Sequence, residues 1–250
     1  MAAITNSETE WVGLAREVPV AEPHILTRHE GLSVYWERPG EESFAGVGVA
    51  GEVATDNDIA IALNSVSAAR VRWLGETPNV PGPCFGGLAF DPRRTGKGEW
   101  AGFPASRWML PEVALGTRGG RTWAMSFARA TPGMDMAAVL EERLARGSAK
   151  VMESPLPGAV VGIVEDKAKW ERLIGRSLEA IRSGRLTKVV AARVILANLG
   201  AGLQLGSVLD CLRRQQPECT TFLLRGTDGS CFLGATPETL VARQVVIATG

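Results

Sequence analysis

The sequence is poor in the residues that build disulfide frameworks, metal sites and charged binding surfaces. Its 250 residues include four cysteines and two histidines, and no two cysteines form a CxxC pair. This spacing excludes a disulfide-rich scaffold and argues against a zinc knuckle or a thioredoxin-like motif. The 27 basic and 27 acidic side chains cancel, so we expect no nucleic-acid or anionic-membrane partner.

Long apolar runs and a leader pattern are also lacking. The least charged stretch, 194–209, is short for a bilayer span and is interrupted by three glycines. The first eleven residues show no basic segment followed by an apolar one. With 45% apolar residues the chain has the composition of a folded protein, and we predict a cytoplasmic location.

Strand and turn patterns dominate up to about residue 155. Predicted strands cover Leu32–Trp36, Ser43–Val49, Cys84–Phe90, Ala105–Leu110 and Thr122–Phe127. Helical spacing covers Asp58–Trp73, and a second helix is predicted to follow an Asp135 cap.

Helices and strands alternate in the remaining residues. The patterns predict a helix from Glu165 that ends at Gly184, a buried strand over Leu186–Leu196, a short helix capped by Ser207, a hairpin around the sequence GTDG, and a last strand over Leu240–Ala248. Together they favour an α+β fold in which layered antiparallel or mixed sheets are flanked by helices.

Two motifs favour structural over functional roles. Gly46, Gly48 and Gly51 spell GxGxxG, but no acidic residue follows at the distance that a dinucleotide site requires. A strand and turn built from small residues is the better interpretation. His24 and His29 have no cysteine or carboxylate cluster nearby, so we interpret them as loop or surface residues.

Lys188 is a candidate general base. Strand alternation places it on the same face as Leu186, Val190 and Val194. A lysine there either reaches solvent at the end of the strand or lies in a cavity. A cavity would favour the neutral amine, which is the form that accepts a proton.

Glu238 is a candidate general acid. It follows Pro237 in a tight turn after an apolar strand, where it is equally suited to the first turn of a helix. A lysine base and a glutamic acid on neighbouring strands would form an acid/base pair across a substrate. The residue patterns leave both interpretations open.

Four segments together resemble the chorismate-utilising enzyme family, and within it the isochorismate synthases. They are FGGLAFDP at 85–92, FPASRWMLPE at 103–112, GRLTKVVAARV at 184–194 and FLGATPETL at 232–240. The last two motifs are specific as a pair because they stand about 50 residues apart, as in the family.

The resemblance implies an isomerase that binds chorismate with Mg²⁺, adds water at C2 of the ring and releases the C4 hydroxyl. The family's base falls on Lys188 and its acid on Glu238. A lysine at this position implies water as the nucleophile, unlike in the ammonia-using anthranilate and aminodeoxychorismate synthases. The product would serve menaquinone or siderophore biosynthesis. A salicylate synthase, which goes on to eliminate pyruvate, is the alternative.

The resemblance assigns residues 1–155 to the strand-rich N-terminal part of the fold and 156–250 to the first part of the catalytic domain. In the family, a carboxylate-binding loop and the Mg²⁺ ligands come later, so we expect them beyond residue 250. We therefore expect a truncated chain that is inactive alone. The alternative is a non-catalytic half of a split protein, with a second chain as its partner.

Overall fold

The chain divides into two compact units. A computed structural model describes residues 11–19, 23–29, 31–56, 60, 71–80, 84–147, 160–199 and 203–239. The first unit comprises residues 1–154 and 205–250, and the second unit comprises 155–204. The predicted assignment of 1–155 and 156–250 to two parts of the family's fold stays a prediction.

The regular elements of the described residues are numbered along the chain. They are β1 (Trp11–Val18), β2 (Leu32–Arg38), β3 (Glu42–Val47), β4 (Gly51–Thr55), β5 (Val71–Leu74), β6 (Phe85–Leu88), β7 (Ser106–Leu110), β8 (Val113–Arg118), β9 (Arg121–Arg129), α1 (Met136–Gly147), β10 (Val160–Val164), α2 (Lys167–Arg182), β11 (Leu196–Leu199), α3 (Leu205–Gln215), β12 (Thr220–Arg225) and β13 (Cys231–Thr236).

An eight-stranded sheet forms the centre of the first unit. Its strand order is β13-β12-β2-β3-β8-β9-β1-β5, and all neighbours are antiparallel except the parallel pair β1 and β5. A smaller antiparallel sheet has the order β4-β7-β6. The pairing of β12 with β2 returns the chain to the first unit after residue 204.

The main core lies between these two sheets. Alternation in β9 directs Trp123, Met125 and Phe127 into it, and all three are almost fully buried. Phe44 of β3 stacks on Phe85 of β6 with ring centroids 4.0 Å apart. The apolar side chains of the two sheets therefore interdigitate in one layer between them.

Two helices cover the opposite face of the large sheet. Leu140 of α1 packs with Val12 and Leu14 of β1, and Leu209 of α3 packs in a separate cluster with Leu32 of β2. Asp135 caps α1, its Oδ1 accepting from the amide N–H groups of residues 137 and 138 at 3.0 and 3.1 Å. The layered α+β fold predicted from the sequence is thus confirmed.

A partly buried polar network fixes α3 on strand β2. The Arg213 Nη2 donates to Glu37 Oε1 at 3.0 Å, and the Tyr35 hydroxyl donates to Glu37 Oε2 at 2.6 Å. Burial and the neighbouring carboxylate raise the pKa of Tyr35, because both disfavour the phenolate. The tyrosine therefore stays a hydrogen-bond donor across the physiological pH range.

Several predicted elements are confirmed and others are corrected. The five predicted strands of the first part, the Asp135-capped helix and the GTDG hairpin are all present within a few residues of their expected bounds. The predicted helix over 58–73 is wrong at its end, where β5 lies, and most of its remainder lies outside the described residues. Ser207 lies inside α3 rather than at its cap. The predicted strand over 240–248 lies outside the described residues.

The GxGxxG glycines serve packing and turning. A Cβ on Gly51 would lie 2.4 Å from the Trp11 ring, and one on Gly46 would lie 2.7 Å from Pro111. Gly48 has a φ of +68°, which favours glycine. Because β3 ends within the motif and β4 begins at its last glycine, the arrangement is a strand–turn–strand connection.

A buried ion pair lies within the smaller sheet. Arg107 Nη2 of β7 donates to Glu52 Oε2 of β4 at 3.0 Å, and the two side chains are only 11% and 13% exposed. Arg107 also donates to the carbonyl oxygen of Arg225 in β12. This arginine therefore links the small sheet to the strand that follows the second unit.

The adjacent glycines of β6 provide a first test of the sheet packing. A Cβ on Gly86 would lie 2.0 Å from the Arg107 carbonyl oxygen, whereas one on Gly87 would make an ordinary contact with Leu224 at 3.7 Å. We expect Gly86→Ala to lower the free energy of unfolding by at least about 2 kcal/mol. Gly87→Ala should change it by less than about 1 kcal/mol. Urea unfolding followed by tryptophan fluorescence measures both, and equal effects would contradict the β6–β7 register.

The Glu52–Arg107 pair provides a second test. Glu52→Gln alone leaves a buried guanidinium without its counter-charge, so we expect a loss of about 3 kcal/mol in the free energy of unfolding. Arg107→Met alone should also be destabilising, and the double variant should lose less than the sum of the two by about 1–3 kcal/mol. Denaturant unfolding of the four proteins gives this coupling energy. Additive losses would show that the two charges do not interact.

Candidate functional site

Helix α2 leads directly to the lysine motif. Asp166 caps the helix, its Oδ1 accepting from the Lys169 N–H at 2.8 Å. The helix ends at Arg182, and Gly184 with its φ of +73° then turns the chain. The Leu186 N–H bonds back to the Ala180 carbonyl at 3.1 Å. Lys188 follows two residues later. The predicted helix and its glycine stop are confirmed.

The predicted buried strand over 186–196 is wrong in its extent and its burial. Residues 188–195 have no strand pairing, and β11 begins only at Leu196. Lys188 is exposed, as are Val190 at 83% and Val194 at 79%. The apolar alternation predicted a strand, but a strand also needs a partner. Among the described residues, β10 pairs with β11 alone.

Arg193 connects this segment to the start of α2. Its guanidinium bonds to the Glu165 carboxylate and lies over the Trp170 ring, 5.5 Å from the ring centroid. The segment that carries Lys188 is therefore held at both ends, by the helix stop at Gly184 and by Arg193. No local pattern predicts these contacts, because the two partners of Arg193 lie 23 and 28 residues before it in the chain.

Glu238 lies just beyond β13 in the first unit. Its backbone N–H donates to the Thr236 Oγ1 at 3.1 Å, which is the local contact that a capping Thr-Pro-Glu sequence predicts. The Glu238 side chain is exposed. The carboxylate is therefore exposed to solvent, two residues after the end of β13.

The two candidate catalytic residues belong to different units. Lys188 lies in the second unit and Glu238 in the first. Their opposition across a substrate stays a prediction. His29 has a local structural role, since its Nδ1 accepts from the Gly31 N–H at 3.0 Å. The side chain of His24 lies outside the described part of the chain.

A magnesium site does not fit the described residues. Mg²⁺ is held by carboxylate oxygens and water, but no group of three or more His, Cys, Asp or Glu side chains in the described ranges could hold a metal ion. No step of a reaction is therefore assigned to a metal on these residues. The described helices also include none that is long and apolar enough to cross a membrane.

Comparison with known proteins identifies the family. The model of a family described as chorismate binding enzymes matches residues 2–246, nearly the whole chain. The chain belongs to the chorismate-binding enzyme family. This membership confirms the resemblance drawn from the four sequence segments.

Two relatives of this chorismate-binding chain show how much of the fold it spans. It is 29% identical over 222 residues to the salicylate biosynthesis isochorismate synthase of Pseudomonas aeruginosa, a match that covers 83% of this chain and 45% of that protein. The solved structure of MenF, the menaquinone-specific isochorismate synthase of Escherichia coli, matches with a TM-score of 0.57 at 19% identity. That match covers 94% of this chain and 53% of MenF. The chain therefore spans about half the length of these relatives.

The Arg193 anchor is testable in the chain as it stands. Arg193→Met removes both the ion pair and the ring contact next to the β10–β11 ladder, so we expect exchange of the Val164 and Leu196 amide protons to speed up about 2–10-fold. Arg185→Met is the matched control, since Arg185 bonds only locally to Ser183 in the described structure. Amide hydrogen exchange measured by NMR reports both. Equal rates in the two variants would contradict an anchoring role.

Proposed function

We propose that this chain is the N-terminal half of an isochorismate synthase, which converts chorismate to isochorismate. The observation that carries the proposal is the family match over residues 2–246, because that match includes both motifs, with Lys188 in one and Glu238 in the other. The names of both relatives support the same reaction.

Proton transfer at two positions is what the reaction demands of the protein. Water is a poor nucleophile and hydroxide a poor leaving group near neutral pH, so each needs a positioned proton carrier. In the proposed mechanism, the neutral Lys188 amine takes a proton from water as its oxygen bonds to C2 of the ring. The ring double bonds rearrange, the C4–O bond breaks, and Glu238 gives its proton to the departing hydroxyl. One water enters and one leaves, so the net reaction is an isomerisation.

The base role requires surroundings that the described chain does not supply. Lys188 is exposed in the second unit. Burial among apolar side chains disfavours the ammonium form and so favours a base. The proposed activity therefore depends on further residues that cover this segment. Magnesium belongs to the family's reaction, and we propose that its ligands also lie outside the described residues.

The biological setting is part of the proposal. The names of the two relatives refer to salicylate and to menaquinone biosynthesis, so we propose that the isochorismate feeds menaquinone or a siderophore and that the reaction takes place in the cytoplasm. A salicylate synthase-like enzyme is the second candidate, because its first step is the same hydration by a lysine-activated water.

The proposed activity is tested by supplying the rest of the fold. If the reading frame continues after codon 250, the longer protein is expressed. Otherwise residues 1–250 are co-expressed with the unmatched half of the Pseudomonas aeruginosa relative. We expect conversion of chorismate with Mg²⁺ by the completed protein and none by residues 1–250 alone. Lys188→Ala and Glu238→Gln should each lower kcat by about 10²–10⁴. Liquid chromatography of isochorismate, salicylate and pyruvate measures the products.

Two matched variants control for general effects of substitution. Lys167→Ala removes an exposed lysine of the second unit that lies 3.8 Å from Glu171, and Glu218→Gln changes an exposed carboxylate of the first unit. Both should leave kcat within about twofold. Activity of Lys188→Ala within a few-fold of the unsubstituted protein would remove Lys188 from the base role. Release of pyruvate and salicylate would favour the second candidate.

A further inference from the structure

Strand β13 is paired in the large sheet up to its last residue, Thr236. Its neighbour β12 pairs with β13 on one side and with β2 on the other. Thr236 faces Thr220 in the β12–β13 ladder. A Cβ on Gly234 would lie 3.0 Å from the Phe222 ring, so the two strands also pack closely through their side chains. The backbone of Thr236 is therefore fixed by the sheet.

The chain leaves the ladder after Thr236 through a turn that one side chain closes. Pro237 has a restricted φ and no N–H group, so the Glu238 N–H is the first backbone donor beyond the strand. It donates to the Thr236 Oγ1 at 3.1 Å. Among the described residues, this is the hydrogen bond that ties Glu238 to the sheet. Pro237 and Glu238 are otherwise exposed.

The position of Glu238 matters for the acid role proposed above. A general acid has to stand within hydrogen-bond reach of the group that it protonates. A displacement of about 1 Å can lower a rate about 100-fold. A side chain two residues beyond the end of a strand keeps a defined position only if a local contact sets its backbone. The threonine hydroxyl supplies such a contact, because it holds the amide of the residue that carries the carboxyl group.

We propose that Thr236 is a positioning residue for the general acid Glu238. The inference rests on the proposed function and deepens it, since it names the group that sets the place of the acid. Thr236 acts through its hydroxyl oxygen, which accepts from the Glu238 N–H and so fixes the direction in which the glutamate side chain leaves the backbone. The hydroxyl takes no part in the transfer of the proton itself.

Two substitutions of Thr236 separate its hydroxyl from its shape. Thr236→Val removes the acceptor and keeps both the size and the preference for a strand, whereas Thr236→Ser keeps the acceptor. In the completed protein with Mg²⁺, we expect Thr236→Val to lower kcat for chorismate conversion by about 10–100-fold and to leave KM within about twofold. Thr236→Ser should keep kcat within about threefold.

A double variant tests whether Thr236 acts through the acid. In a Glu238→Gln background the general acid is already lost, so adding Thr236→Val should change kcat by less than about twofold. A role of Thr236 in stability alone would act in both backgrounds. An equal loss of kcat with and without the glutamate would therefore overturn the inference.

The hydrogen bond itself is measured in residues 1–250, without catalysis. Thr236→Val should speed exchange of the Glu238 amide proton at least about threefold, as followed by NMR. Thr220→Val is the matched control, because it makes the same change at the residue that faces Thr236 across the ladder. It should leave both this exchange rate and the kcat of the completed protein within about twofold.

The outcomes distinguish this inference from the proposed function. If the completed protein converts chorismate and Thr236→Val keeps kcat within about twofold, the inference is overturned and the proposed function stands. Unchanged exchange at Glu238 in Thr236→Val would also overturn the inference. Failure of the unsubstituted completed protein to convert chorismate would overturn the proposed function, and with it the acid that Thr236 is proposed to position.

Discussion

The pairing of β12 with β2 determines how the chain is divided between its two units. It joins Phe222 to Trp36 across 186 residues of chain and so places everything after residue 204 back in the first unit. Residues 155–204 consequently form a separate unit. The motif that contains Lys188 lies in this unit, and the motif that contains Glu238 lies in the first unit. Arg107 reinforces the return by donating to the carbonyl oxygen of Arg225 in β12. Long-range strand pairing of this kind is specified by the assembled sheet rather than by local pattern.

The two units differ in how their apolar residues are used. In the first unit the strands alternate cleanly, so that one face of the large sheet packs on the small sheet and the other on α1 and α3. In the second unit a helix of comparable amphipathic pattern has no buried residue among those described. The difference follows from the number of layers available: a helix and a two-stranded ladder supply too few faces to enclose a core. This is why the lysine motif, though apolar on both sides of Lys188, is exposed.

Chemistry and stability therefore meet at the same surface. A lysine that acts as a base has to be desolvated, and the aliphatic residues beside it have to be covered for the unit to be stable. Arg193 holds its segment to α2 through Glu165 and Trp170, so the residues between Gly184 and Arg193 are fixed at both ends.

Local pattern in the sequence was sufficient for the layered α+β class, for most strands of the first unit, for the Asp135 cap and for the family, because period-two alternation, capping side chains and contiguous motifs are properties of neighbouring residues. It failed for 186–196, where an alternating segment met no partner strand, and for 71–74, where β5 gains its place from parallel pairing with β1. The tertiary structure alone decided that β12 returns to β2, that Glu52 and Arg107 form a buried pair, and that Lys188 and Glu238 belong to different units. The physical reason is that strand partners and burial are set by residues distant in the chain, which no local pattern encodes.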